Sequence, residues 1–160
     1  MRIGYGYDSH VFAENRKLIL AGIDIPHKFG LKGHSDADAV THALIDSILG
    51  ALALGDIGSH FPDNDDKYKD ISSITLLEKT ISIMKDKNYI IGNTDITIIL
   101  EKPKLRNYID LMRENLSKVL ATNVENISIK AKTNEKMDAV GREEGIAVHC
   151  VSLLIKNKSV

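Results

Sequence analysis

The stretch IAVHCVSLLI, residues 146 to 155, decides the fold. Alternate side chains of a strand point to opposite faces of its sheet. Here both faces are largely apolar: Ala147, Val151, Leu153 and Ile155 on one, Ile146, Val148, Cys150 and Leu154 on the other. A strand wetted on one side alternates apolar with polar residues, so a strand apolar on both sides needs two coverings. Helices of the same chain supply one, and another copy of the chain is the economical second, because soluble oligomers are mostly symmetric assemblies of identical subunits.

The rest of the sequence provides those elements. MRIGYGYD reads as a strand, and KLILAGIDIP (17 to 26) as a hairpin turning near Ala21 and Gly22. After GHSDAD (33 to 38), Val40, Leu44, Ile48 and Ala51 have helical spacing, with Ser35 or Asp36 as a natural N-cap. Ile74, Leu77, Ile81 and Met84, then Ile109, Met112, Leu116 and Leu120, mark two more amphipathic helices. TDITIIL (94 to 100) and ISIKAKT (127 to 133) are strands around them. The order after the first helix is βαβ-like, which predicts an α/β or α+β sandwich: one domain over residues 1–160, a mainly β sheet covered by helices on one face.

Composition narrows the setting. The chain has 160 residues, 43% of them hydrophobic, enough for one domain with a substantial core. A net charge of −1 with scattered Lys and Arg gives no basic stripe for nucleic acid. No apolar run approaches the roughly 20 residues of a membrane span, and the sequence enters its strand pattern without a signal-like segment. The single Cys150 excludes an intrachain disulfide and reads as core in a reducing compartment. The expectation is a cytoplasmic bacterial protein or, if processed, one of a plastid-type organelle, with no nucleic-acid or membrane partner.

Several polar clusters bear chemistry. GYDSH (6 to 10) sets Asp8 and His10 two positions apart, on one strand face. His42 lies in the first helix, one turn after Asp38 and one turn before Asp46, a polar edge on an apolar helix. Asp8, His10 and His42 make a three-ligand set that leaves a fourth tetrahedral position open, the arrangement of a working zinc. Asp46 then stands as an acceptor for the imidazole N–H. A packed or capped His42 and a solvated Asp46 fit the same spacing. His34 and Ser35 precede a helix N-terminus, where free N–H groups favour an anion, although ordinary capping reads the same. The loop GDIGSHFPDND (55 to 65) offers Asp56, Asp63 and Asp65 to sugar hydroxyls. Lys132, Thr133 and Glu135 gather a cation, a hydroxyl and a hard oxygen ligand suited to Mg²⁺, or form a plain charged strand end. Neither a P-loop nor a dinucleotide glycine signature is present.

Taken together, GYGYDSH (4 to 10), GHSDADAVTHALIDSILGALALGDIGSHFPD (33 to 63), EKPKL (101 to 105), KTNE (132 to 135) and GREEGIAV (141 to 148) resemble the 2-C-methyl-D-erythritol 2,4-cyclodiphosphate synthase family nearly end to end. The resemblance implies the non-mevalonate route to isoprenoids, in which 4-diphosphocytidyl-2-C-methyl-D-erythritol 2-phosphate, a small cytidine diphosphate substrate, is cyclised with release of CMP. It implies a homotrimer whose sheets pack around a threefold axis, with zinc on Asp8, His10 and His42, and Mg²⁺ or Mn²⁺ on Glu135.

The resemblance also distributes the substrate-binding roles. Asp8, Ser9 and His10 flank the substrate at the zinc, His34 and Ser35 hold its phosphate, and His34 and Thr133 stabilise the transition state. Asp56, Ile57 and Gly58 lie where the family binds ribose and the phosphorylated tail. Phe61, Pro62, Asp63, Asn64 and Asp65 surround the methylerythritol. The backbone of Leu100, Glu101, Lys102, Pro103, Lys104, Leu105 and Arg106 reads cytosine, while Lys132, Thr133, Asn134 and Glu135 complete the diphosphate site. Ala139 stands where the family commonly has Phe, and Glu143 where Gly is usual, beside Arg142 at the subunit-interface cavity in which the family can bind an isoprenoid diphosphate. The alternative from another class is a non-catalytic module that binds metal and cytidine nucleotide, against which intact His34, Thr133 and Glu135 speak. The start and end of the chain disfavour a remnant of a bifunctional enzyme.

Overall fold

The computed structural model describes residues 1–157. In chain order the elements are β1 (Arg2–Ala13), β2 (Leu18–Leu20), β3 (Ile23–Ile25), β4 (Gly30–Leu31), α1 (Ala39–Ala51), α2 (Ile57–His60), α3 (Ser73–Asp86), β5 (Tyr89–Ile99), α4 (Ile109–Leu120), β6 (Ile127–Lys132), α5 (Asp138–Gly141) and β7 (Gly145–Lys156). A five-stranded sheet runs β4-β1-β7-β5-β6, and β2 pairs with β3 as the expected hairpin. All neighbours in the large sheet are antiparallel except β5 and β6, which α4 connects as a parallel βαβ unit.

Strand β7 is the central one of the five. Ile146, Val148, Cys150, Ser152 and Leu154 of β7 are buried under the helices, whereas Val151 on the opposite face is 44% exposed. Ile3, Tyr5, Tyr7 and Val11 of β1 are exposed too. The helices α1, α3 and α4 therefore cover one face, as expected, and an apolar face is left open.

Glycine decides how closely the helix layer sits. A Cβ on Gly6 would fall 2.0 Å from the Ala43 carbonyl oxygen, and one on Gly4 would fall 1.8 Å from that of Ser47. Only Gly lets α1 approach β1 so closely. The facing residues of α1, Ala43, Ser47 and Ala51, are small and four apart, so they stack along one side of the helix.

Three expectations need correction. The N-cap of α1 is Asp38, not Ser35 or Asp36: Asp38 accepts from the Thr41 N–H, and the helix starts at Ala39. Its carboxylate is fully buried, so it does not share the half-exposed edge of His42 and Asp46. It is satisfied by Thr41 Oγ1 at 2.7 Å, and by the N–H groups of Ala21 and Gly22 at 2.8 and 2.7 Å. The helix N-terminus before which His34 and Ser35 sit is thus already filled by a carboxylate. Two short helices, α2 and α5, were not legible because four residues carry no periodic signal. No helix among the described residues is long and apolar enough to cross a membrane.

Candidate active site

Asp8, His10 and His42 converge as the sequence suggests, and the close approach of α1 to β1 is what joins them. Strand alternation turns Asp8 and His10 to the helix side, together with Gly4 and Gly6. His42 is the neighbour of Ala43, the residue seated on Gly6. Asp8 Oδ2 lies 2.9 Å from His10 Nε2 and 3.1 Å from His42 Nδ1, and the two imidazole nitrogens are 3.3 Å apart. These three donor atoms form a triangle with the edge length that ligands about 2.0–2.1 Å from a tetrahedral zinc would have. Among the described residues this is the single cluster of His, Cys, Asp and Glu able to hold a metal ion.

Electrostatics agree with that geometry. Burial alone would raise the Asp8 carboxyl, but hydrogen bonds from His10 and His42 outweigh it and bring the pKa to about 2. Burial likewise opposes the charged form of His10, yet the hydrogen bond and charge of Asp8 raise its pKa above the usual histidine value. The outer nitrogen of His10, Nδ1, donates to the Lys32 carbonyl at 2.7 Å. The corresponding partner of His42 is not Asp46. His42 Nε2 lies 2.8 Å from Ser73 Oγ and 3.2 Å from Ser35 Oγ, while Asp46 accepts the Ile57 N–H at 2.7 Å and so anchors α2. Sequence spacing missed Ser73 because it lies 31 residues beyond His42, on α3.

A cleft of about 400 Å³ opens beside the triangle, lined among others by His34, Ser35, Ile57, Gly58, Phe61 and Asp63. Asp56 caps α2, accepting from Ser59 N–H and Oγ at 2.9 and 2.7 Å. The hydroxyl contact, then the backbone one, hold its pKa below the usual range. Pro62 and Asn64 belong to the turn that follows, where Asp65 N–H donates to the Pro62 carbonyl. His34 Nε2 approaches the Asp65 carbonyl at 3.4 Å.

A second cleft of about 380 Å³ lies at the β6 edge, lined by Leu100, Pro103, Lys104, Leu105, Arg106 and residues 129–133, with Ile109. Glu101 joins its two segments: its Oε1 accepts the N–H groups of Asn134 and Lys136 at 2.9 and 3.0 Å. Glu135, held between them at φ 51°, receives the Thr133 hydroxyl at 2.7 Å. Lys132 is exposed, and Lys102 pairs with Glu143.

One chain does not bring the two clefts together. Ser9, Ala147, Ile99 and Lys132 occupy one row across β1, β7, β5 and β6. Three inter-strand spacings, about 14 Å, therefore separate the metal triangle's strand from the Lys132 segment. Ala139 lies along a third cavity, of about 390 Å³, bounded by Tyr7, Ser9, His10 and Ala147. Arg142 beside it pairs with Glu144 at 2.6 Å.

Known proteins share this fold and much of this sequence. The chain matches the YgbB family over residues 1–155. A 2-C-methyl-D-erythritol 2,4-cyclodiphosphate synthase of Brachyspira hyodysenteriae is 84% identical over 158 residues, which cover 99% of this chain and 100% of that one. Among solved structures, the bifunctional IspDF from Campylobacter jejuni superposes with a TM-score of 0.93 at 40% identity, covering 97% of this chain and 42% of the longer one. A CDP complex of IspF from Plasmodium falciparum gives 0.86 at 38% identity, covering 98% of this chain and 97% of that one. The chain belongs to the YgbB family, that of the 2-C-methyl-D-erythritol 2,4-cyclodiphosphate synthases.

Proposed function

We propose that this chain, one domain over residues 1–160 working as a homotrimer, cyclises 4-diphosphocytidyl-2-C-methyl-D-erythritol 2-phosphate to 2-C-methyl-D-erythritol 2,4-cyclodiphosphate and releases CMP. The observation that carries the reading is the Asp8, His10 and His42 triangle at the mouth of a cleft, in a chain 84% identical to a synthase of that name. An oxygen of the substrate's 2-phosphate attacks the β-phosphorus. The bond from that phosphorus to the α,β-bridging oxygen breaks, and CMP leaves with the electron pair. The attacking group is already an anion, so no side chain has to serve as base.

The protein's task is positioning and charge neutralisation, which is most of what phosphoryl transfer demands. Asp8, His10 and His42 would hold Zn²⁺. Glu135, with hard oxygen only, would hold Mg²⁺ or Mn²⁺ brought in with substrate. When bound, these cations neutralise phosphate charge at the reacting centre. His34 and Ser35 hold phosphate from the first cleft, and Asp56, Ile57 and Gly58 take ribose. Phe61 to Asp65 enclose the methylerythritol. His34 and Thr133 face the transition state. The segment from Leu100 to Arg106 reads cytosine. Since about 14 Å separates the two half-sites within a chain, a neighbouring subunit completes each site. Folding one molecule back on itself exploits effective molarities that reach roughly 10⁵ M or more.

The test is CMP release from the named substrate by purified protein. Glu135→Gln should keep its zinc yet lose most turnover, part of it recovered at high Mg²⁺ by mass action. Asp8→Asn should lose zinc and gain nothing from Mg²⁺. Binding of the nucleotide without any CMP release would instead make the chain a binding module.

A further inference from the structure

We propose that Ser73 and Asp36 are positioning residues of the metal centre, a carboxylate–hydroxyl relay that fixes His42 in the tautomer and ring orientation a cation requires. The proposal rests on the metal-centre reading above and extends it to two residues from outside the cleft.

Ser73 is the first residue of α3 and fully buried. Its Oγ donates to Asp36 Oδ1 in a short hydrogen bond, while its backbone N–H donates to Asp36 Oδ2 at 3.0 Å. An ionised carboxylate only accepts, so the single hydroxyl proton of Ser73 is committed to Asp36. What Ser73 Oγ turns toward His42 Nε2, 2.8 Å away, is therefore a lone pair, and Nε2 must carry the hydrogen. In the neutral imidazole that a cation requires, Nδ1 is then the bare nitrogen, and it is Nδ1 that points at Asp8 Oδ2 and His10 Nε2. The outward hydrogen bond of a ligating imidazole sets which nitrogen is free and how the ring sits.

Asp36 is itself held. Its N–H donates to the Ile71 carbonyl at 3.1 Å, and its Oδ1 accepts the Asp38 N–H at 3.3 Å. The α3 N-cap, Ser72, makes no side-chain capping bond. Asp36 takes over that office from the loop before α1, and so ties the start of α3 to the site. The two histidines are thus secured differently: His10 by a backbone carbonyl that no substitution removes, His42 by a relay made of two side chains. Because Ser73 gives its own proton to Asp36 and accepts that of His42, the Ser35 hydroxyl, 3.2 Å from the same nitrogen and 3.4 Å from Ser73 Oγ, keeps its proton to donate to Ser73 or, with substrate bound, to a phosphate.

The experiment measures zinc affinity by competition with a chromophoric chelator, together with the ¹⁵N-edited imidazole NMR spectrum of the zinc-loaded protein. Ser73→Ala should weaken zinc binding roughly 10- to 100-fold, the range for loss of such a partner, and should remove the slowly exchanging Nε2 proton of His42. Ser73→Thr, which restores the hydroxyl, should recover most of the affinity. Ser35→Ala should leave zinc affinity within about twofold of wild type. Asp36→Asn, which keeps an acceptor for the helix N–H but drops the charge, should give a smaller loss in the same direction and serves if Ser73→Ala does not fold. Wild-type affinity with an intact Nε2 proton signal in Ser73→Ala, or in Asp36→Asn, would overturn the relay. A wild-type protein that binds no zinc would instead remove the metal centre itself.

Discussion

Asp38 shows how much one side chain can organise. Four donors converge on a carboxylate without exposed surface: two from the hairpin turn at Ala21 and Gly22, and two from Thr41. Burial raises its pKa, while the Thr41 hydroxyl and N–H pull the other way. Asn in its place would turn an amide donor toward N–H groups and leave at least one of them unpaired. Asp38→Asn should therefore cost about 3 kcal/mol of stability, the range for a buried unsatisfied polar group, read from urea unfolding; a loss under about 0.5 kcal/mol would contradict the account. Cys150 makes a complementary prediction. Its thiol is buried, which raises the pKa, and the opposing contacts with Ser47, Thr94 and Ser152 are weaker. Because the thiolate is the reactive form, the native protein should resist maleimide from about pH 7 to about pH 9 and label once denatured, as followed by intact mass. Rapid labelling of folded protein at the lower pH would show that the core opens there.

At the scale of elements, the site depends on the distance between α1 and β1. Gly6→Ala places a methyl 2.0 Å from a helix carbonyl, which cannot be absorbed by a flexible side chain. The helix must move, and overpacking of this kind costs about 3 kcal/mol or more. His42 should move with it, so zinc affinity should fall along with stability. Gly50 is the control. It lies on the same helix, exposed, and the nearest atom to an added Cβ is 3.7 Å away. Gly50→Ala should leave zinc binding alone and stabilise the protein by about 0.5–1 kcal/mol, the propensity difference between the two residues. Chemical denaturation of both variants checks the pair, and equal effects would mean that close approach is not what sets the site.

For the whole molecule the open face of the sheet is the deciding feature. Tyr5, Val151 and Asp95 stand in one row across β1, β7 and β5, and Tyr7 lies beside His149 in another. Tyr5 also bonds His149 Nδ1 at 2.8 Å. The exposed Ile3, Tyr5, Tyr7, Val11 and Val151 on this face are what the proposed trimer would bury. Val151→Asp should cost the isolated chain little, because the position is exposed. In a trimer it would bury an uncompensated charge next to Asp95, at a cost of several kcal/mol. Light scattering should report trimer for the wild type and smaller species for the variant, with turnover lost in parallel because the proposed trimer completes each site from two chains. A Val151→Asp protein that stays trimeric would place the interface elsewhere.

What the sequence by itself determined was whatever repeats with a local period or sits in a short motif. The three long helices follow from the 3.6-residue spacing of Val40 to Ala51, Ile74 to Met84 and Ile109 to Leu120. The two-faced β7 follows from alternation, and Asp8 with His10 follows from a two-residue interval. His42 could be named as their partner, but spacing could not bring it to them. Tertiary structure decided that step, since Gly4 and Gly6 state only that something comes close, not which helix face arrives. It also decided the outer partners, exchanging the expected Asp46 for Ser73 and Asp36, and moved the N-cap of α1 to Asp38. Hydrogen bonds across 31 or 37 residues have no period in the chain. They are chosen by which buried donors and acceptors the packed helices leave facing one another, because a polar group taken out of water must find its partner wherever the fold has placed one.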